Sequence, residues 1–246
     1  MKTLAAYQSL GAIDLLSVAR DPLLRWTVVL TPALGLLIRF TVPPIAAGLE
    51  ARFDFELTPY YPLILSFLPL AVAGMIGTVV GFLLLDQRDD DTLSALLVTP
   101  LRLGDYLRYR MIVLLTLCVT LSFITVPLAG LSETTLPQLA VASVVGAPLA
   151  PIYALFLASF AGNKVQGFAL VKAVGIVIVP CIAAYFVKGP WQAAFGVVPH
   201  YWSLKVFWLF DDAKVASALV QSALGLIWQG LLLVLLAQRF ARIVRR

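Results

Sequence analysis

The chain has 246 residues, 61% of them hydrophobic and 13% charged, with a formal net charge of +5 and a mean hydropathy of +0.96. That apolar excess excludes an ordinary soluble domain and points to an integral membrane protein. In a soluble domain the positive balance would suggest nucleic acid, but here the basic residues sit at the ends of apolar stretches, where they set orientation, so nucleic-acid binding is excluded as a reading.

Residues 1–21 read as an interfacial elbow helix. Leu4, Tyr7, Gly11, Leu15 and Val18 fall on one side and Lys2, Ser9, Ser17 and Arg20 on the other, with Leu10 and Ile13 blurring the division. Asp14, Arg20, Asp21 and Arg25 precede the first long apolar run with no short apolar segment before them. The first span is therefore expected to be retained rather than cleaved. Pro22 suits the first turn of that span, residues 23–46, because its missing N–H would be unpaired there anyway. Arg39 lies inside the span. A cation at mid-bilayer costs about 2.5 to 3.5 kcal/mol, so Arg39 must snorkel outward, pair with a group such as Glu50, or face a wet cargo path.

A short outer loop carrying Glu50, Arg52, Asp54 and Glu56 leads into the second span, residues 62–85. Gly77 and Gly81 make a G-x-x-x-G step, and Gly74 extends the small-residue edge, which predicts close helix packing within the subunit or between two subunits.

The chain then turns polar. Asp86, Arg88, Asp89, Asp90 and Asp91 cannot remain in hydrocarbon, so residues 86–108 are expected to form a cytoplasmic loop. Asp91 or Thr92 can cap a helix of about two turns that Pro100 stops after Thr99. On it, Leu93, Leu96 and Leu97 fall at i, i+3 and i+4 and present one apolar edge, which calls for a docking partner. As a metal site the adjacent acids converge poorly, and a solvated helix entry is the simpler reading.

Arg108 and Arg110 anchor the third span, residues 109–130, and a brief turn leads to a fourth that ends near Phe160. Pro148 and Pro151 predict a bend or break in it. Gly162, Asn163 and Lys164 form a tight turn before the fifth span, residues 166–187, which carries Lys172 in its inner half. Lys172 either snorkels to the inner face or meets cargo or a lipid headgroup.

Residues 188–214 form an outer aromatic segment read as two short re-entrant or interfacial helices, with Trp191, Tyr201, Trp202, Phe207 and Trp208 suited to the headgroup zone. His200, the only histidine, is read there as interfacial rather than as a proton relay. The sixth span, residues 215–237, ends in Gln238, Arg239, Arg242, Arg245 and Arg246.

On one side of the expected bilayer lie Lys2, Arg20, Arg25, Arg88, Arg102, Arg108, Arg110, Lys164 and the terminal arginines. On the other lie only Arg39, Arg52, Lys188, Lys205 and Lys214. The positive-inside rule then places both termini and the 86–108 loop in the cytoplasm.

The run LLLDQRDDDTLSALLVTPL, with RDPLLRW and YYPLILSF before it, resembles the ABC-2 type transporter permeases, and more narrowly their fluoroquinolone export branch. Asp91 departs from the glycine that the family carries before the threonine. The resemblance implies an all-α membrane protein in one transmembrane domain over residues 1–246, with six transmembrane helices. An N-terminal interfacial helix, a short cytoplasmic coupling helix and an outer re-entrant segment complete it, as in type V exporters.

The same resemblance implies that Asp91, Thr92, Leu93, Leu96, Leu97, Thr99 and Pro100 couple to an ABC ATPase subunit, present in two copies. A second permease chain, identical or related, and a small-molecule cargo would complete the exporter in the bacterial inner membrane among its lipids. Because that family's second and fifth helices line the path, Lys172 is a candidate cargo contact.

The sequence contains no G-x-x-x-x-G-K-[ST], so ATP and Mg are expected at the partner ATPase, and this chain is not expected to be an enzyme or to bind a cofactor. Cys118 and Cys181 lie in apolar runs without neighbouring ligands and read as buried hydrophobes. Two other readings stand beside drug export: a permease for lipid or another endogenous cargo, and a membrane scaffold that recruits a cytosolic protein.

Overall fold

The computed structural model describes residues 22–90 and 103–244. The expected elbow helix (1–21) and all seven proposed coupling residues, Asp91 to Pro100, lie outside the described residues. The elements, in chain order, are α1 (Pro22–Phe53), α2 (Tyr61–Asp89), α3 (Leu103–Ala129), α4 (Leu136–Gly146), α5 (Leu149–Phe160), α6 (Lys164–Phe186), α7 (Pro199–Asp211) and α8 (Val215–Val244). Short 3-10 segments, Thr58–Tyr60 and Pro190–Val197, precede α2 and α7. Six of these stretches are long and apolar enough to cross a membrane, with α4 and α5 together forming the fourth.

Local chemistry explains the boundaries. Thr135 accepts from the Gln138 backbone N–H and caps α4. Asn163 Oδ1 accepts from Gln166 N–H at 2.9 Å, while Gln166 Oε1 reaches back to Gly162 N–H at 2.8 Å, a reciprocal cap that starts α6. The fourth span breaks at Ala147 and Pro148, where proline removes one intrahelical bond, as its sequence predicts. Four spans outrun their expected limits: α1 continues to Phe53, α2 to Asp89 and α8 to Val244, and α3 begins at Leu103.

The interior is built around α2 and the fourth span, the two most buried crossings, whereas α1, α6 and α8 leave most of their apolar surface outward. That surface is ordinary for helices solvated by lipid or covered by another chain. The segment between α6 and α8 forms two short helices as the sequence reading expects, and α7 takes the re-entrant form: it packs into the bundle with Tyr201, Phe207 and Trp208 buried, while Trp191 alone of those aromatics is strongly exposed.

Hydrogen bonds hold α7 in place. Trp208 Nε1 donates to Ser66 Oγ at 3.0 Å, Gln138 Nε2 to the Phe207 carbonyl at 3.3 Å and Ser203 Oγ to the Ala142 carbonyl at 3.4 Å. The buried face of a helix can tolerate such polar atoms only when they find partners.

Candidate functional site

An apolar groove of about 630 Å³ lies between α1 and α6, floored by α2. Leu23, Trp26 and Leu30 form one wall and Val171, Gly175 and Ile178 the other. Phe67, Leu70, Gly74, Met75 and Thr78 supply the floor, and the Tyr153 ring of α5 shows through beneath it. A cleft of this volume lies in the range that accepts a drug-sized molecule. Its polar groups are few, and two of them are engaged: Thr27 Oγ1 donates to the Leu23 carbonyl at 2.8 Å, and Tyr153 Oη lies 2.6 Å from His200 Nε2. The groove therefore offers rings and methyl groups and no countercharge.

His200 is buried within the protein, 4% exposed. Its ring meets Tyr153 edge-on with centroids 5.5 Å apart. Nδ1 has no hydrogen-bond partner among the described residues.

The small-residue edge of α2 divides in function. A Cβ at Gly77 would press into the Ala150 carbonyl and stand 2.7 Å from Tyr153 Cβ, and one at Gly81 would stand 2.9 Å from Leu157 Cδ1 and 3.1 Å from Ala154 Cα. Both glycines thus allow α2 to meet α5 within one subunit. Gly74 does not belong to that contact: a Cβ there meets only the Tyr153 ring, at an ordinary 3.9 Å. Its place is in the groove floor. The facing signal on α5, Ala150, Ala154 and Ala158 at four-residue spacing and all fully buried, went unread in the sequence.

Neither candidate cation lines the groove. The Arg39 guanidinium lies over Gly130, the φ +55° residue that ends α3, and no ion pair joins it to Glu50 among the described residues. This is snorkelling toward the negative end of a helix dipole. Lys172 is exposed on α6, next to wall residue Val171, and is not among the residues that line the groove. The structure does not bring Arg39 and Lys172 together.

At the end of the bundle that holds the described chain ends, polar groups tie the spans to one another. Lys164 pairs with Asp86 at 2.9 Å, Arg88 donates to the Ala158 carbonyl at 3.0 Å, and Arg239 lies 4.0 Å from the Phe160 ring centroid. Tyr106 Oη donates to Gln87 Oε1 at 2.9 Å and accepts from Arg110 at 2.8 Å. Gln87 and Tyr106 stand at the two roots of the 91–102 segment, and Leu84, Leu103 and Leu107 join the main apolar core beneath them.

Comparison with known proteins gives a match over residues 14–237 to the family described as fluoroquinolones export permease protein Rv2686c-like. The chain is 34% identical, over 86% of its own length and 84% of theirs, to two proteins of Mycobacterium tuberculosis. They are fluoroquinolones export permease protein MT2760 of strain CDC 1551 / Oshkosh and fluoroquinolones export permease protein Rv2686c of strain ATCC 25618 / H37Rv. No solved structure matches the chain.

Proposed function

The chain belongs to the Rv2686c-like family of fluoroquinolones export permeases, and from that premise we propose that it is the membrane subunit of an ATP-driven ABC-2 type exporter. Its cargo is an amphipathic aromatic drug, with fluoroquinolones the first candidates. The observation that carries the cargo class is the groove: about 630 Å³, aromatic and aliphatic, and open along the bundle between α1 and α6. Lipid would find the same apolar walls, so the transport assay must include it.

In this reading the chain is a multi-pass component of the bacterial inner membrane, its termini in the cytoplasm, paired with a second permease chain and two ATPase subunits. ATP and Mg bind at those ATPases. Leu93, Leu96 and Leu97 dock on them, and Asp91, Thr92, Thr99 and Pro100 shape the docking turn. The bonded roots at Gln87 and Tyr106 support this coupling, because a push on the loop reaches the groove floor through α2.

The test is reconstitution with the partner ATPase, measuring cargo-dependent ATP turnover and uptake of a fluoroquinolone or of labelled lipid into inverted vesicles. Burying one leucine is worth roughly 1.5 to 3 kcal/mol, and hiding a charge in its place adds a further cost. Leu96→Asp is expected to reach the membrane normally but to lose both the co-purified ATPase and transport. Wild-type stoichiometry and stimulated turnover in that variant would reject the docking role, whereas lipid uptake without drug uptake would reassign the cargo.

A further inference from the structure

At the opposite end of the bundle, the 3-10 segment before α2, the end of α6 with the loop after it, and the second half of α7 with the turn after it enclose a second cavity of about 680 Å³. Its character is the reverse of the groove's. Lys188, Lys205 and Lys214 line it against a single carboxylate, Asp212. Tyr60, Tyr185 and Trp208 give it an aromatic wall, with the Tyr185 ring centroid 6.4 Å from Tyr60 and 5.0 Å from Trp208.

The charges do not balance. Lys214 pairs with Asp212 at 2.8 Å, which accounts for the only acid in the lining. Lys205 is half-buried and donates one hydrogen bond, 2.6 Å long, to the neutral Oε1 of Gln192. Gln192 is itself fixed, since its Nε2 donates to the Ala184 carbonyl at 2.7 Å. An ammonium has three N–H donors, so two remain on Lys205 beyond that bond. Burial lowers the Lys205 pKa, and although Asp212 works against the shift, Lys214 adds to it. Lys188 is exposed at the rim and forms no ion pair among the described residues. Asp211, outside the lining, also acts on Tyr185, but three lysines still outnumber the two carboxylates, so an anion entering this space would meet unused donors and a net positive charge beside flat aromatic surface.

We propose that this cavity binds an oxyanion carried by an amphipathic molecule, with Lys205 and Lys188 holding the anionic group and Tyr60 and Tyr185 receiving the adjoining apolar part. Two sources offer that chemistry at a membrane boundary: the phosphate of an anionic lipid headgroup and the carboxylate of an aromatic acid. The site goes beyond the drug-export reading and does not depend on ATPase docking or on the groove.

The experiment uses the full chain in phosphatidylcholine nanodiscs, without ATPase. One arm titrates short-chain phosphatidylglycerol and counts bound lipid by native mass spectrometry. The other titrates 2-naphthoate and follows tryptophan fluorescence, with 2-naphthalenemethanol as the neutral comparison. At least one anion is expected to bind, and Lys205→Met to weaken that anion by about tenfold or more, while Lys205→Arg and Arg242→Gln, at the other end of the bundle, leave it near wild type.

If Lys205→Met fails to fold, Lys188→Gln on its exposed side chain decides, with a loss of about threefold expected. Binding of neither anion, equal binding of the neutral alcohol, or lysine variants that bind like wild type would overturn the proposal. Lipid binding without naphthoate binding would identify a headgroup site, and the reverse an acid-cargo site. Failure of drug transport with anion binding intact would count against the export reading alone.

Discussion

Gly77 and Gly74 stand one turn apart on the same face of α2, yet a side chain added at each meets different surroundings. At Gly77 it would drive α2 from the Ala150 backbone, and overpacking of this kind typically costs about 1 to 3 kcal/mol. Gly77→Leu should lower the thermal unfolding temperature and the monodisperse yield. Gly74→Leu should leave both near wild type but occupy the groove floor and weaken fluoroquinolone binding. Fluorescence-detected size exclusion with a binding titration separates the two, and a stable, binding-competent Gly77→Leu would contradict the α2–α5 contact. The sequence pattern made all three glycines one edge because period and size are legible there. Which side of that edge meets α5 and which meets open space depends on helix rotation, which α5 and Tyr153 set. The contact of His200 was hidden for the same reason: its neighbours in sequence are aromatic, but its partner, Tyr153, lies 47 residues away.

The crossings were the most legible elements, because length and apolarity alone decide whether a helix can span, and the proline break in the fourth came through as well. Helix α7 was the least legible. Its aromatic residues suit a membrane surface as well as a packed interior, and only long-range bonds such as Trp208 to Ser66 select the interior. The roots of the 91–102 segment carry the prediction at this scale. Tyr106→Phe removes the hydroxyl that links Gln87 to Arg110 while keeping the ring. The variant is expected to insert and to retain its ATPase, but to show a smaller stimulation of turnover by cargo. Full stimulation in a reconstituted assay would show that the link transmits nothing.

Orientation belongs to the whole molecule, and its evidence is the asymmetric placement of lysine and arginine between the two ends of the bundle. Cys118 and Cys181 are both fully buried, so reporter cysteines can be introduced with little background from the native thiols. Arg242→Cys should react with an impermeant maleimide only from the cytoplasmic side, and Lys214→Cys only from outside. The reverse pattern would invert the topology. One element joins all three regions of interest. Helix α2 has 29 residues, roughly 44 Å end to end at about 1.5 Å per residue. It carries the root of the 91–102 segment at one end and the groove floor at its middle, and Tyr60, which immediately precedes it at the other end, lines the basic cavity. Gly77 and Gly81, near its middle, are where it rests most closely on α5. That is the layout of a lever on a fulcrum: a tilt of about 5° moves each end of such a rod by roughly 2 Å, in opposite directions.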